Sequence, residues 1–273
     1  MIDIHSHILP GIDDGSKSIS MTLEMLTNAT EQGTSKIIAT PHFCRGYGEA
    51  EYDEVKKLTE KISRLAKDEK IEIEIYCGQE VYYSQSIISD YKQGIIGTLA
   101  NSRYLLFELP LHSEFEKEVL EDIYELQILG VKPILAHPER YKFLKEEPYL
   151  INELIDEGIL FQMNAGSIEG AFGRQAKKVA ELFLDKAIYN FIGSDVHNVT
   201  DRTIGIKEGY NLAVERNKIY VKQFEESANK LLKNEEIEFY GEKIKRKKKF
   251  GFFWWWGAVS YGKLWIYRWG DNV

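Results

Sequence analysis

A chain of 273 residues, 44% hydrophobic and 29% charged, is long enough to bury a large core and has an ordinary globular composition. The net charge of −8 argues against a nucleic-acid binder, yet residues 243–273 hold eight Lys/Arg and one acid, leaving 27 Lys/Arg and 42 Asp/Glu for residues 1–242. Cys44 and Cys77 alone exclude a disulfide framework, no apolar run is long enough to cross a membrane, and Asp3, His5 and His7 fall where a signal peptide needs basic and apolar residues.

These exclusions predict a soluble, cytoplasmic protein with no cleavable leader ahead of its first strand. That strand, Ile2–His5, is apolar and ends in His5-Ser6-His7, two imidazoles two residues apart and so on one side of it. Imidazole is the commonest protein metal ligand. An amphipathic stretch at 18–32 precedes a second strand, Lys36–Thr40, ending at His42. A helix over 51–68 leads to a third strand, Ile71–Cys77, ending at Glu80, and a shorter helix is expected around Ser84–Tyr91. The fourth strand, Tyr104–Leu109, carries Glu108 in its apolar end. In the following helix, 115–129, Val119, Ile123, Leu126 and Leu129 keep the helical period and Gly130 supplies a stop. A fifth strand, Lys132–Ala136, ends in His137 and Arg140, and a helix is expected at 148–157. The sixth, Leu160–Met163, ends in Asn164 and is followed by a helix at 173–186. The seventh, Tyr189–Ile192, ends in Asp195 and His197, with helix-like stretches at 202–216 and 221–233 after it. Such alternation implies parallel strands with helices outside: a closed or nearly closed (β/α) barrel first, an open doubly wound sheet second. Neither a glycine-rich phosphate loop nor a Gly-x-Ser-x-Gly elbow is present.

Five of the six histidines stand at C-terminal strand ends, and His112 lies nearby in the loop after the fourth strand. Catalytic residues of such barrels gather at that face. A single histidine there is more often a satisfied structural residue, but five together with Glu80, Glu108 and Asp195 point to a polynuclear metal centre. Carboxylates beside Leu-Leu-Phe or Phe-Ile-Gly avoid burial unless paired or metal-bound. Imidazole and carboxylate without thiolate suit Mn, Fe or Zn. The loop Leu9-Pro-Gly-Ile-Asp-Asp-Gly adds Asp13 and Asp14, equally readable as a turn or as the source of one more ligand. Arg140 and Arg202 suit an anionic, phosphate-ester substrate. Neither cysteine is followed six residues later by arginine (Ala50 and Tyr83 stand there), which disfavours a cysteine-nucleophile phosphatase.

The runs MIDIHSHILPGIDDG, IIATPH, GQE, LFELP, AHPER and GSDVHN resemble the motif set of the polymerase and histidinol phosphatase (PHP) superfamily. They are most similar to the manganese-dependent protein tyrosine phosphatases of bacterial capsule and exopolysaccharide operons. The resemblance spans residues 1–253 and implies a distorted, TIM-like (β/α)7 barrel carrying a three-metal centre, Mn²⁺ first, with Fe or Zn as alternatives. One metal would be held by His5, His7, Glu80 and Asp195, a second by Glu80, Glu108 and His137, a third by Asp14, His42 and His197. Arg140 and Arg202 would bind phosphate, and a metal-bound hydroxide would attack phosphorus. The implied substrate is a phosphotyrosine protein, a membrane-associated kinase controlling polysaccharide export. Alternatives are a small-molecule phosphatase such as one acting on histidinol phosphate, a metal-dependent amidohydrolase, which would carry lysine where Glu108 stands, and a non-catalytic metal-binding module.

A barrel over 1–242 leaves a tail, 243–273, expected to be unpacked. It begins KIKRKKK and holds all five tryptophans in its last twenty residues, beyond the family's FGFF-like ending. The bland reading is an added extension; the sharper one is weak contact with an anionic membrane surface, placing the protein at the inner face of the membrane.

Overall fold

His5 and His7, Glu108, His137 and Asp195 stand at or just beyond the C-terminal ends of parallel strands, and this placement fixes which end of the fold carries the chemistry. The computed structural model describes residues 1–200, 202 and 205–246. Its elements are β1 (Ile2–Ser6), α1 (Ile19–Glu31), β2 (Lys36–Ala39), β3 (His42–Cys44), β4 (Gly48–Glu49), α2 (Tyr52–Asp68), β5 (Glu74–Cys77), β6 (Glu80–Tyr82), α3 (Ile87–Lys92), β7 (Tyr104–Glu108), α4 (Glu118–Ile128), β8 (Lys132–Ala136), α5 (Lys142–Glu146), α6 (Ile151–Asp156), β9 (Leu160–Asn164), α7 (Ala165–Glu169), α8 (Arg174–Asp185), β10 (Phe191–Gly193), α9 (Ile206–Arg216) and α10 (Tyr220–Leu232).

One parallel sheet has the order β1-β2-β5; the other has the order β10-β9-β8-β7-β6-β3, with β4 added antiparallel to β3. The two are one wall. β2 passes into β3 across Thr40-Pro41, where proline cannot donate to the ladder. β5 passes into β6 across Gly78-Gln79, where a Cβ on Gly78 would lie 2.7 Å from Leu99 and 3.0 Å from Ile38. β1 closes the ring on the segment after β10 through a parallel bridge from Ser6 to Val196, with Asp195 N donating to His5 O at 2.9 Å. The described residues thus form seven parallel staves, the expected barrel rather than an open sheet.

Alternation along the staves separates two cores. Ile4, Ile38, Leu106, Ile134, Leu160 and Phe191, with half-buried Tyr76, give one inward residue per stave, and Ala228 and Leu231 of α10 close this layer from below. The intervening residues, Ile37, Leu105, Phe107, Leu135 and Phe161, pack outward against Met25, Leu26, Ile62, Ile123 and Phe183 of the helices. Those helices are amphipathic: α2 buries Val55, Thr59, Ile62 and Ala66 at helical spacing.

The element boundaries move where the backbone finds other partners. The strand expected from Ile71 begins at Glu74, because Ile71 N donates to Ala66 O at 2.9 Å and closes α2. The helix expected over 148–157 is a 3-10 turn, Pro148–Leu150, followed by α6. Packing continues past residue 242: Ile244 is buried, the Asn152 side chain bonds both its N (2.9 Å) and its O (2.8 Å), and Lys243 pairs with Asp156. Residues 247–273, with the Trp-rich run, lie outside the described residues. Among the described residues no helix is long and apolar enough to cross a membrane.

Candidate metal centre

Two imidazoles enter the barrel mouth because β1 carries one extra residue. Its register runs Ile2 to Lys36, Asp3 to Ile37, then Ser6 to Ala39, a bulge between Asp3 and Ser6. Strict alternation would send His5 to the face opposite Ile4. The bulge reverses the parity, so His5 and His7 face the interior above Ile4. Asp3 braces it: its Oδ1 accepts from His5 N (3.2 Å) and Ser194 N (3.0 Å). Burial raises the pKa of this carboxyl.

Glu80 is the hub of what converges there. Its Oε2 lies 3.1 Å from His5 Nε2, 3.3 Å from His7 Nε2 and 3.1 Å from His42 Nδ1, while Oε1 lies 2.9 Å from His137 Nε2. Glu108 Oε1 is 3.5 Å from the same His137 nitrogen. Asp195 Oδ1 is 3.7, 3.4 and 3.5 Å from His5, His7 and His197. Asp14 Oδ1 is 3.2 Å from His197 Nε2 and 3.6 Å from His42 Nε2. All nine side chains singled out in the sequence therefore meet. Three groups are tight enough to share an ion: His7, Asp14, His42 and His197; His5, His7 and Glu80; and His42, Glu80 and Glu108. His7, His42 and Glu80 each enter two groups, so the clusters overlap more than the ligand sets implied by the resemblance, in which Glu80 alone is shared. His137 and Asp195, which the resemblance implies as ligands, enter none of the three groups, and neither does exposed His112.

The donor set fits divalent metal. Glu80 Oε2, Asp14 Oδ1, His197 Nε2 and His137 Nδ1 are buried without a hydrogen-bond partner, a cost that a cation removes for those facing it. The far ring nitrogens are tied down: His5 Nδ1 to Gln162 Oε1 (2.9 Å), His7 Nδ1 to Asp13 Oδ2 (2.8 Å), His197 Nδ1 to the Asp195 carbonyl (2.9 Å). Partners of this kind turn the opposite nitrogen's lone pair toward a metal. Burial opposes ionisation of Glu80 and Asp195, yet the neighbouring imidazoles, and for Asp195 also Arg202 and Arg140, hold both carboxyls well below the usual range. Burial and the Glu80 charge push Glu108 up to about 9, and burial with Arg140 pushes His137 down to about 4.

Against this geometry stand the comparisons with known proteins. Residues 1–233 match the family described as capsular polysaccharide synthesis, CpsB/CapC. The chain belongs to the CpsB/CapC family. It is 34% identical to the tyrosine-protein phosphatase YwqE of Bacillus subtilis over 93% of this chain and 100% of that protein. It is 30% identical to the tyrosine-protein phosphatase CpsB of Streptococcus pneumoniae over 79% of this chain and 90% of that one. A crystal structure from work on YwqE and CpsB, described as metal-dependent tyrosine phosphatases, superposes with a TM-score of 0.85 at 30% identity, over 90% of this chain and all of the other.

In this CpsB/CapC chain the two arginines meet on one atom. Asp195 Oδ2 accepts from Arg140 Nη1 (3.0 Å), Arg202 Nη2 (2.6 Å) and Asn164 Nδ2 (2.6 Å), leaving Oδ1 for the imidazoles. Arg140 stacks over Phe172, 4.4 Å from the ring centre, and Arg202 Nε is a buried donor without a partner. Asp195 (φ +54°) and His137 (φ +33°) both adopt left-handed backbone, strain of the kind concentrated at functional sites. The GIDDG loop is a turn that also brings a carboxylate to the cluster. Asp13 accepts from Gly15 N and His42 N and braces His7, while Asp14 faces the cluster. In AHPER, Glu139 stands apart, bonding Asn164 N and the Tyr189 hydroxyl. The bracing roles of Asp3 and Gln162 were missed in the sequence. Gln162 sits at an inward position of the sixth strand, among apolar neighbours that leave a buried amide unexplained, and that was the available signal.

Proposed function

We propose that this chain is a metal-dependent protein-tyrosine phosphatase. The observation that carries the reading is the junction at Asp195, where a buried imidazole–carboxylate cluster meets two arginine forks. One face offers metal ligands and the other offers donors for a phosphoryl group. The proposed ligand sets are His5, His7, Glu80 and Asp195; Glu80, Glu108 and His137; and Asp14, His42 and His197, with Mn²⁺ as the resident ion. Metal ions bound there would supply Lewis acidity and ionise water near neutral pH.

The chain's own groups bind and orient the substrate. Arg140 and Arg202 offer forked donors to phosphoryl oxygens, and Phe172 fixes the Arg140 plane. Arg202 Nε gains an acceptor when an anion arrives. Tyr47, 65% exposed on the β3–β4 hairpin, sets its ring edge-on to His42 at 6.3 Å and offers an aromatic wall to an aryl ester. The proposed substrate is a tyrosine-phosphorylated protein, with the capsule-synthesis kinase implied by the sequence motifs as the first candidate. The test compares phosphotyrosine peptides with histidinol phosphate after chelation, with and without added Mn²⁺. Turnover of the peptides only with Mn²⁺ is expected; strong preference for histidinol phosphate overturns the reading.

A further inference from the structure

A hydrogen-bonded chain of two amides runs under the cluster and joins two of its side chains from different staves. Gln162 Oε1 faces His5 Nδ1 at 2.9 Å and also accepts from His137 N at 3.3 Å. Gln162 Nε2 donates to the Met163 carbonyl (2.6 Å) and to Asn164 Oδ1 (2.9 Å), and Asn164 Nδ2 donates to Asp195 Oδ2 (2.6 Å). Both amides are fully buried, so neither exchanges its partners for water. Gly193 leaves the room: a Cβ there would lie 2.6 Å from His5 Cβ and 2.9 Å from Gln162 Nε2.

We infer that Gln162 and Asn164 form a positioning relay that sets the tautomer of His5 and the rotamer of Asp195 together. An amide oxygen can only accept, so His5 must carry a proton on Nδ1, and in its neutral form the ring presents a bare Nε2 to the cluster. The amide dipole then runs onward: Gln162 donates to Asn164, whose own amide donates to Asp195, so Oδ1 is left free to face the imidazoles. The two ligands are pre-set before any ion arrives, and neither amide belongs to the proposed ligand sets or phosphate donors. The inference rests on the reading of His5 and Asp195 as metal ligands, but it concerns ligand geometry and not the substrate.

The test uses the full chain. In the metal-free wild type at high pH, long-range nitrogen–proton NMR of His5 is expected to show Nδ1 protonated and Nε2 bare; an Nε2-protonated or mixed ring overturns the inference without any variant. Gln162→Leu is expected to mix the His5 tautomers and weaken Mn²⁺ binding, measured by chelator competition, about 10- to 100-fold. Asn164→Ala is expected to weaken binding about tenfold with the His5 tautomer unchanged, and the double variant to lose less than the two losses combined. Gln223→Leu removes a buried amide bonded to Tyr189 O at 2.9 Å on α10 and controls for general destabilisation; it is expected to keep wild-type Mn²⁺ affinity. Folded Gln162→Leu with wild-type affinity and tautomer overturns the relay. A wild-type chain that binds Mn²⁺ and shows the expected tautomer yet hydrolyses no phosphotyrosine peptide would instead count against the proposed function and leave the relay standing.

Discussion

The same staves build two interior layers of opposite character. Below, Ile4, Ile38, Leu106, Ile134, Leu160 and Phe191 meet side chain to side chain and are capped by α10. Above, His5, Glu80, Glu108, His137, Gln162 and Asp195 occupy the same inward direction at the C-terminal ends, equally buried but polar. The lower layer is satisfied by contact alone. The upper layer buries like charges and leaves Glu80 Oε2 and His197 Nε2 without a hydrogen-bond partner. Stability is invested in one layer and chemistry in the other, and truncations in the two should fail differently.

The largest expected effect is on chemistry. Asp195→Ala or His137→Ala should lower phosphotyrosine hydrolysis beyond about a thousandfold while circular dichroism shows a folded chain; full activity in either variant would break the comparison at its upper end. Leu106→Ala should do the reverse, costing about 2–5 kcal/mol in denaturant unfolding while Mn²⁺ affinity stays at the wild-type value. Arg140→Ala and Arg202→Ala should each lower kcat/KM about a hundredfold with metal content retained, which separates phosphate binding from ion binding. Tyr47→Ala should raise KM for a phosphotyrosine peptide by less than about tenfold and leave metal affinity alone.

Acid–base behaviour sharpens the contrast further. Burial and Glu80 push Glu108 up to about 9, so between its unfolded value and pH 9 the native, metal-free state holds a proton that the unfolded chain has released. Its contribution therefore disfavours folding increasingly as pH rises across that window. A cation beside Glu108 removes the penalty. The rise in melting temperature on adding Mn²⁺ should be larger at pH 8.5 than at pH 6, and Glu108→Gln should narrow that difference.

Much of the site was legible because a parallel barrel places its strand ends together, and histidine and carboxylate at those ends stand out against apolar neighbours. His5, His42, Glu80, Glu108, His137 and Asp195 could each be found that way. What escaped has non-local causes. The bulge in β1 depends on Asp3 reaching Ser194, a partner 191 residues away. The division of the second and third staves comes from Pro41 and from the closeness of Leu99 to Gly78. Gln162 reads as one polar residue in an apolar strand until His5 and Asn164 are seen beside it. Short helices such as α5 and α7, five residues each, have too few turns to show a period.

The central claim is that the upper layer is a multinuclear metal site. Its most direct test is the metal content of the purified chain, measured by elemental analysis after Mn²⁺ loading and removal of free ion. Close to three equivalents per chain, falling in Asp195→Ala, is the expected result; one equivalent or none would contradict it.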